Sequence, residues 1–266
     1  MTQHAYPHDQ PQYSGQPQYP GQPGSGPPGP SGGDFRPDQS QFSAADATLE
    51  DRLAFMRRTY LHLGGAIALF VGLSALLINS PIRDPLIQLM LGTQYSWLVV
   101  MGVFMGTGWL ADWWARSVES PPLQYLGLAL GVAGYAVVFV PLLTVAAFFA
   151  SPTVLPLAAI TTLSVFSVLT GFVLVTKRDF SMLRTGLIVM SALSLVAIAA
   201  GIIFGFDLGL GFSILMVGLS AGYVVYYTSN VLHHYRTDQH VAAALALFSA
   251  IALMFWYILS IFMRRS

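Results

Sequence analysis

Long apolar runs separated by short polar gaps are the feature that most constrains the fold of this chain. Seven such runs can be drawn, at residues 61–78, 95–111, 123–149, 154–175, 183–204, 208–232 and 241–263. A helix needs about 20 consecutive apolar residues to cross the hydrocarbon core of a bilayer. Charged residues make up 9% of the chain, against about 25% in soluble domains. The sequence therefore predicts an all-α membrane protein, a bundle of seven transmembrane helices in contact with the lipid bilayer.

The first 47 residues have a different composition, dominated by Gln, Pro, Gly, Ser and Tyr. The tetrapeptide QPQY occurs twice, at Gln10–Tyr13 and Gln16–Tyr19. Such a segment has few aliphatic side chains to bury, so burial cannot offset the entropy lost on ordering. We predict a disordered cytoplasmic tail over residues 1–47 and a seven-helix domain over residues 48–266. The tail is either a partner-binding arm, as Pro-rich tracts can be, or a solvated segment without a specific partner.

A helix start is predicted immediately after this tail. Thr48 and Asp51 have the spacing of a capping box. Apolar residues then recur at helical spacing, at Leu49, Leu53, Met56 and Tyr60. This pattern predicts an amphipathic lead-in at the membrane surface, followed directly by the first span.

Basic residues in the gaps indicate the orientation, because cytoplasmic loops of membrane proteins are enriched in Lys and Arg. One side of the predicted bundle carries eight basic residues: Arg52, Arg57, Arg58, Arg116, Lys177, Arg178, Arg184 and Arg236. The other side carries three: Arg83, Arg264 and Arg265. The N-terminus is therefore expected to be cytoplasmic. The terminal arginine pair would suit the cytoplasmic side better, so six spans plus a re-entrant C-terminal helix remain an alternative.

Eleven arginines against one lysine are typical of GC-rich bacterial genomes, which indicates a cell (inner) membrane.

The composition and motifs argue against several functional classes. The net charge is zero, so no long-range field attracts nucleic acid. A retinal protein would need a lysine in the last span, whereas the single lysine, Lys177, lies in a gap. Gly218–Gly222 matches the G-x-S-x-G pattern of hydrolases, but it lies in the middle of a span, so small-residue packing is the better interpretation. No aspartate pair lies within the predicted spans. We therefore expect no catalytic residues, no cofactor and no enzymatic activity.

Three histidines cluster around one predicted cytoplasmic loop, at His233, His234 and His240. Clustered histidines can bind a metal or respond to pH. Asp238 is the one acidic residue in the loop, and it does not complete a typical ligand set. A polar interfacial loop without a metal site is therefore favoured.

Glycines spaced by four residues recur within the predicted spans, at Gly102/Gly106, Gly127/Gly131 and Gly218/Gly222. This spacing allows helix backbones to approach closely in lipid. Packing within the bundle is favoured over a dimer face.

Three stretches resemble the Bax inhibitor family (transmembrane Bax inhibitor motif family; YccA-like in bacteria). The stretch LTGFVLVTKRDFSML resembles the family loop after the fourth span, and FMRRTYLHLGGAIALFVG resembles the start of its first span. The last two spans and their loop, from YYTSNVLHHYR onward, follow the family spacing. The resemblance covers residues 52–264. Its loop motif here consists of Thr176, Lys177, Arg178, Asp179 and Phe180.

The resemblance implies an acidic pair that this chain lacks. Family members usually carry one aspartate in a Tyr-Asp-Thr-Gln-like tetrapeptide of span six and another in a Leu-Tyr-Leu-Asp-Ile-like run of span seven. These acids form a pH-sensitive pair associated with calcium leak. Tyr227 and Ala250 occupy the two positions here. Neither side chain can share a proton near neutral pH or act as a carboxylate ligand for Ca²⁺.

Two functions follow from the resemblance. The preferred one is a regulator of membrane protein quality control or stress response that contacts other membrane proteins, as YccA-like members contact a membrane protease. The alternative is a leak channel for Ca²⁺ or another cation, with lost or altered pH gating. Polar residues at the end of span six would either line a hydrated crevice or hydrogen-bond between helices: Tyr226, Thr228, Ser229, Asn230 and His233.

Overall fold

The computed structural model describes residues 43–265, and eight α-helices lie within this range. They are α1 (Leu49–Ile78), α2 (Arg83–Leu91), α3 (Ser96–Ala115), α4 (Pro121–Phe148), α5 (Val154–Thr176), α6 (Leu183–Phe204), α7 (Gly209–His233) and α8 (His240–Met263). All except α2 are long and apolar enough to cross a membrane, which makes seven candidate spans. Each of the seven predicted runs corresponds to one of these helices, so the predicted seven-helix fold is confirmed.

Two local features add to the sequence-based expectations. The lead-in and the first span, which was expected to follow it directly, form one uninterrupted helix of 30 residues. The cap itself is as predicted: the Asp51 N–H donates to Thr48 Oγ1 over 3.2 Å. The short helix α2 was not predicted, because its nine residues are too few to give a membrane-spanning signal and follow a turn at Pro81.

Helix α8 forms the centre of the bundle. It packs against α1, α3, α4, α5 and α7, and residues 241–248 are all buried. A helix that is apolar all round is expected to lie inside its bundle. Four alanines among its first seven residues, Ala242, Ala243, Ala244 and Ala246, keep the helix narrow enough for several neighbours to approach.

The glycine pairs have different roles. A Cβ atom on Gly127 would lie 2.5 Å from the Ala115 nitrogen, and one on Gly131 would lie 2.6 Å from Leu245 Cδ1. These two glycines therefore pack within the bundle, as predicted, and so does Gly222, next to Leu187.

The same prediction is wrong for Gly102 and Gly106 of α3 and for Gly218 of α7. A Cβ added at any of these three glycines would meet no described atom outside its own helix within 4 Å. Their Cα atoms therefore face away from the described part of the bundle.

A short segment before α1 docks on the connection between α7 and α8. Ser43 forms an antiparallel bridge with Arg236, and the Ala44 N–H donates to the Tyr235 carbonyl over 2.9 Å. Ala44 is 0% exposed. Residues 43–47, which the sequence assigned to the tail, thus include a buried contact; the rest of the predicted tail lies outside the described residues.

This docking leads to a prediction about truncation. Deleting residues 1–42 should leave thermal stability nearly unchanged, because their composition offers little to bury. Deleting residues 1–47 should destabilise the protein by about 1–3 kcal/mol, because it removes Ala44 and the donor to the Tyr235 carbonyl. Thermal unfolding in detergent measures the effect of both deletions.

A matched pair of substitutions provides the control. Ala44→Asp should destabilise the protein strongly, whereas Ala45→Asp, at an exposed position, should not. Equal effects of the two substitutions on thermal stability would contradict the docking of this segment.

Candidate functional site

The loop motif identified from the sequence is docked on the end of α7. Helix α5 ends at Thr176, and Lys177 adopts a left-handed conformation with φ of 51°. The Lys177 N–H still bonds to the Val173 carbonyl over 2.9 Å, which closes the last turn. The chain then leaves the helix axis and brings Arg178 to Ser181 against α7.

Ser229 of α7 is the main anchor of this loop. Its side chain is 0% exposed, and its Oγ accepts a hydrogen bond of 2.9 Å from the Phe180 N–H. Its own hydroxyl points towards the Arg178 carbonyl at a longer distance of 3.4 Å. Just beyond α7, His234 Nε2 lies 3.1 Å from Asp179 Oδ2. We call this unit the loop clamp: residues 177–181 held by Ser229 and His234.

The electrostatics of the loop clamp depend mainly on backbone contacts. The Ser181 N–H donates to Asp179 Oδ1 over 2.8 Å, and this bond, followed by the His234 contact, lowers the pKa of Asp179. A carboxyl group whose pKa is lower in the folded state than in the unfolded state stabilises the fold at pH values above the unfolded pKa of about 4. This stabilisation is lost as the pH falls through the pKa of the folded state. The side chains of Asp179 and His234 are both nearly half exposed, so solvent screening keeps the stabilisation from their contact small.

Tyr227 lines a separate cavity of about 260 Å³ between α3, α4, α7 and α8. Asp112 of α3 and Arg116, which directly follows this helix, also line the cavity, with 2.7 Å between Arg116 Nε and Asp112 Oδ2. From α8 the lining residues are Leu245, Ala246 and Ser249. Ala250 is buried one turn beyond Ala246 and does not line this cavity. The volume and the polar groups are sufficient for several water molecules.

The five residues of the predicted polar crevice do not line the cavity beside Tyr227. Thr228 and Ser229 are fully buried, whereas Tyr226, Asn230 and His233 are half-buried. Ser229 belongs to the loop clamp, and the Asn230 carbonyl accepts the N–H groups of His234 and Tyr235 at the end of α7. A hydrated crevice among these residues stays a prediction.

The Asp112–Arg116 pair was not predicted as part of a site. Asp112 is the only acidic residue within the seven candidate spans after the first turn of α1. Its partner follows four residues later, which is the spacing of an ion pair on one helix face. The sequence signal was therefore present, but only tertiary packing shows that this face borders the cavity beside Tyr227.

A bundle of seven apolar helices, one of which is buried at its centre, defines a polytopic α-helical membrane protein. The family described as "Inhibitor of apoptosis-promoting Bax1" (Bax1-I) matches residues 52–266, which is nearly the whole helical domain. The chain therefore belongs to the Bax inhibitor family, as the sequence motifs indicated. A comparison with curated proteins gives no match.

The loop clamp leads to a prediction for Ser229→Ala. The change removes the acceptor of the Phe180 N–H and should destabilise the protein by about 1–2 kcal/mol, the cost of an unpaired, partly buried donor. Ser167→Ala is the matched control, because the Ser167 hydroxyl bonds only to the Leu163 carbonyl of its own helix at an exposed position. Thermal unfolding in detergent compares the two. Equal shifts would show that Ser229 does not hold the loop.

Proposed function

We propose that this protein is a non-enzymatic regulator of membrane protein quality control or stress response in a bacterial inner membrane. It acts by contact with other membrane proteins, among which a membrane protease is the candidate that family resemblance suggests. Its N-terminus is on the cytoplasmic side, in agreement with the distribution of basic residues. The observation that carries the proposal is an open surface on α3.

This surface, the α3 face, consists of Val99, Gly102, Val103, Gly106 and Trp109. The spacing of these residues places them along one side of the helix. Val99, Val103 and Trp109 are between 65% and 73% exposed, and both glycines lack described neighbours. Two glycines four residues apart allow another transmembrane helix to approach closely, and the flanking valines and tryptophan supply packing surface beside them.

We therefore predict a specific crosslink at the α3 face. A photoreactive amino acid at Val103 should give one defined adduct in native membranes, and Gly102→Leu with Gly106→Leu should abolish it by blocking close approach. The matched control position is Val196 on α6, which is 67% exposed and should give no defined adduct. The mass of the adduct distinguishes a different protein from a second copy of this chain. An adduct of twice the monomer mass, or none, would contradict regulation through other proteins.

The alternative function, a cation leak with altered gating, would depend on the cavity beside Tyr227. This cavity contains one carboxylate, that of Asp112, and this carboxylate is already paired with Arg116. The acidic pair associated with calcium leak in the family is replaced by Tyr227 and Ala250. A lone, paired carboxylate offers a cation fewer oxygen ligands than Ca²⁺ prefers. These features favour the regulator over the leak channel.

We predict little pH-dependent calcium leak when the protein is reconstituted in liposomes and the pH is stepped from acid to alkaline. The double change Tyr227→Asp with Ala250→Asp should introduce a proton-dependent cation response, because it restores the two carboxylates that the family resemblance implies, and two carboxylates that approach each other share a proton and repel when both ionise. Either single change should do much less, since one buried acid can stay protonated.

A strong pH-gated leak in the unmodified protein would overturn the regulator proposal. Asp112→Asn would then test whether the cavity beside Tyr227 is the conducting path. A channel using this cavity should lose its pH response with that substitution.

A further inference from the structure

A second, larger cavity of about 510 Å³ lies at the opposite end of the bundle from the loop clamp. This is the end at which α6 and α8 finish and α3 and α7 begin. The volume is within the range of roughly 300–1,000 Å³ that is usual for ligand pockets. Most of its lining is aromatic or aliphatic, including Trp97, Phe104, Phe139, Ile198, Phe212 and Trp256.

The cavity is a cleft between two pairs of helices. Helix α3 packs on α4, and α6 packs on α7. The Gln94 side-chain amide donates to the Ile202 carbonyl over 3.0 Å, which links the segment before α3 to the end of α6. An apolar lining gives water few hydrogen-bond partners, so a hydrocarbon chain is the natural occupant of such a cleft in a bilayer.

A fixed pair of opposite charges lies at the edge of this cleft. Arg264 follows α8 and Asp207 precedes α7, and both line the cavity. Their side chains form two parallel contacts, Nη1 to Oδ2 and Nη2 to Oδ1, each 3.1 Å long. The Gly209 N–H donates to Asp207 Oδ1 over 3.0 Å, which holds the carboxylate in place.

This charge pair keeps unused hydrogen-bonding capacity. A guanidinium has five N–H donors, and two of those of Arg264 are directed at Asp207. A carboxylate has about four acceptor positions, and three contacts to Asp207 leave one free. Arg264 is 43% exposed and Asp207 is 71% exposed, so the remaining donors and acceptor are accessible to a headgroup at the membrane surface.

We propose that the cleft binds one phospholipid of the phosphatidylethanolamine type, with an acyl chain between the aromatic side chains. The phosphate accepts from Arg264, and the primary ammonium donates to Asp207. In this zwitterionic headgroup, the negative phosphate meets the positive Arg264 and the positive ammonium meets the negative Asp207. Phosphatidylcholine has a trimethylated ammonium without an N–H donor, and phosphatidylglycerol has no cation for Asp207.

Because the chain contains no cysteine, one fluorophore can report on the cleft. Met101→Cys labelled with bimane places the probe in the lining; labelled Val103→Cys, on the exposed side of α3, is the matched control. Each protein is reconstituted with a small, equal fraction of brominated-chain phosphatidylethanolamine, phosphatidylcholine or phosphatidylglycerol. At position 101 we expect phosphatidylethanolamine to quench with a roughly threefold to tenfold preference, the range for one added charge-assisted hydrogen bond. At position 103 the three lipids should quench equally.

Two further variants locate the binding. Asp207→Asn should remove the preference for phosphatidylethanolamine. Ile198→Trp should reduce quenching at position 101 by all three lipids, because the indole fills the cleft. Val196→Trp, on the exposed side of α6, should not reduce it. Equal quenching by the three lipids at position 101, a preference for phosphatidylglycerol, or an unchanged preference in Asp207→Asn would each overturn the proposal.

Discussion

The packing of α8 on all sides is the constraint on which the rest of the structure depends. In a bilayer the backbone polar groups of a span must be satisfied within the helix, so side-chain packing decides how the helices are arranged. The alanine-rich first half of α8 provides a narrow, fully buried axis, against which α1, α4, α5 and α7 pack. Gly131 contributes from α4, because only a residue without a Cβ leaves room for Leu245.

The connection between α7 and α8 gathers contacts from distant parts of the chain. His234, together with Ser229 at the end of α7, holds the loop after α5, while Tyr235 and Arg236 hold the segment before α1. Burial raises the pKa of Tyr235 to about 12, so its hydroxyl stays neutral throughout the physiological range. The segment before α1 and the family loop motif are therefore both fixed at this end of the bundle, at the end of α7 and the short connection that follows it.

The fold could be predicted from the sequence because seven apolar runs of sufficient length leave few alternatives in lipid. The site was predicted less completely. The Thr176–Phe180 motif and the polar end of α7 were both identified, but nothing in the sequence showed that Ser229 joins them. Arg116 was counted only among the basic residues that indicate the orientation, and Asp112 was not singled out. Their place beside Tyr227 depends on the way α3 packs on α4. The open positions of Gly102 and Gly106 likewise depend on which neighbours α3 has, since glycine spacing is the same for inner and outer faces.

The two cavities share a wall, and this bears on what the bundle can conduct. Phe104 and Tyr135 line both cavities, and their rings make an edge-to-face contact with centroids 4.8 Å apart. A cation in the cavity beside Tyr227 would have to leave the Asp112 carboxylate, pass these rings and enter an aromatic cleft. Removing water from an ion along this path costs several kcal/mol. The mostly apolar lining of the cleft offers the ion no carboxylate before Asp207 at its far edge. In this arrangement the rings of Phe104 and Tyr135 lie between the cavity with the carboxylate and the cavity suited to lipid. The side chains that separate the two cavities favour the proposed action through surfaces and lipid binding over action through a continuous pore.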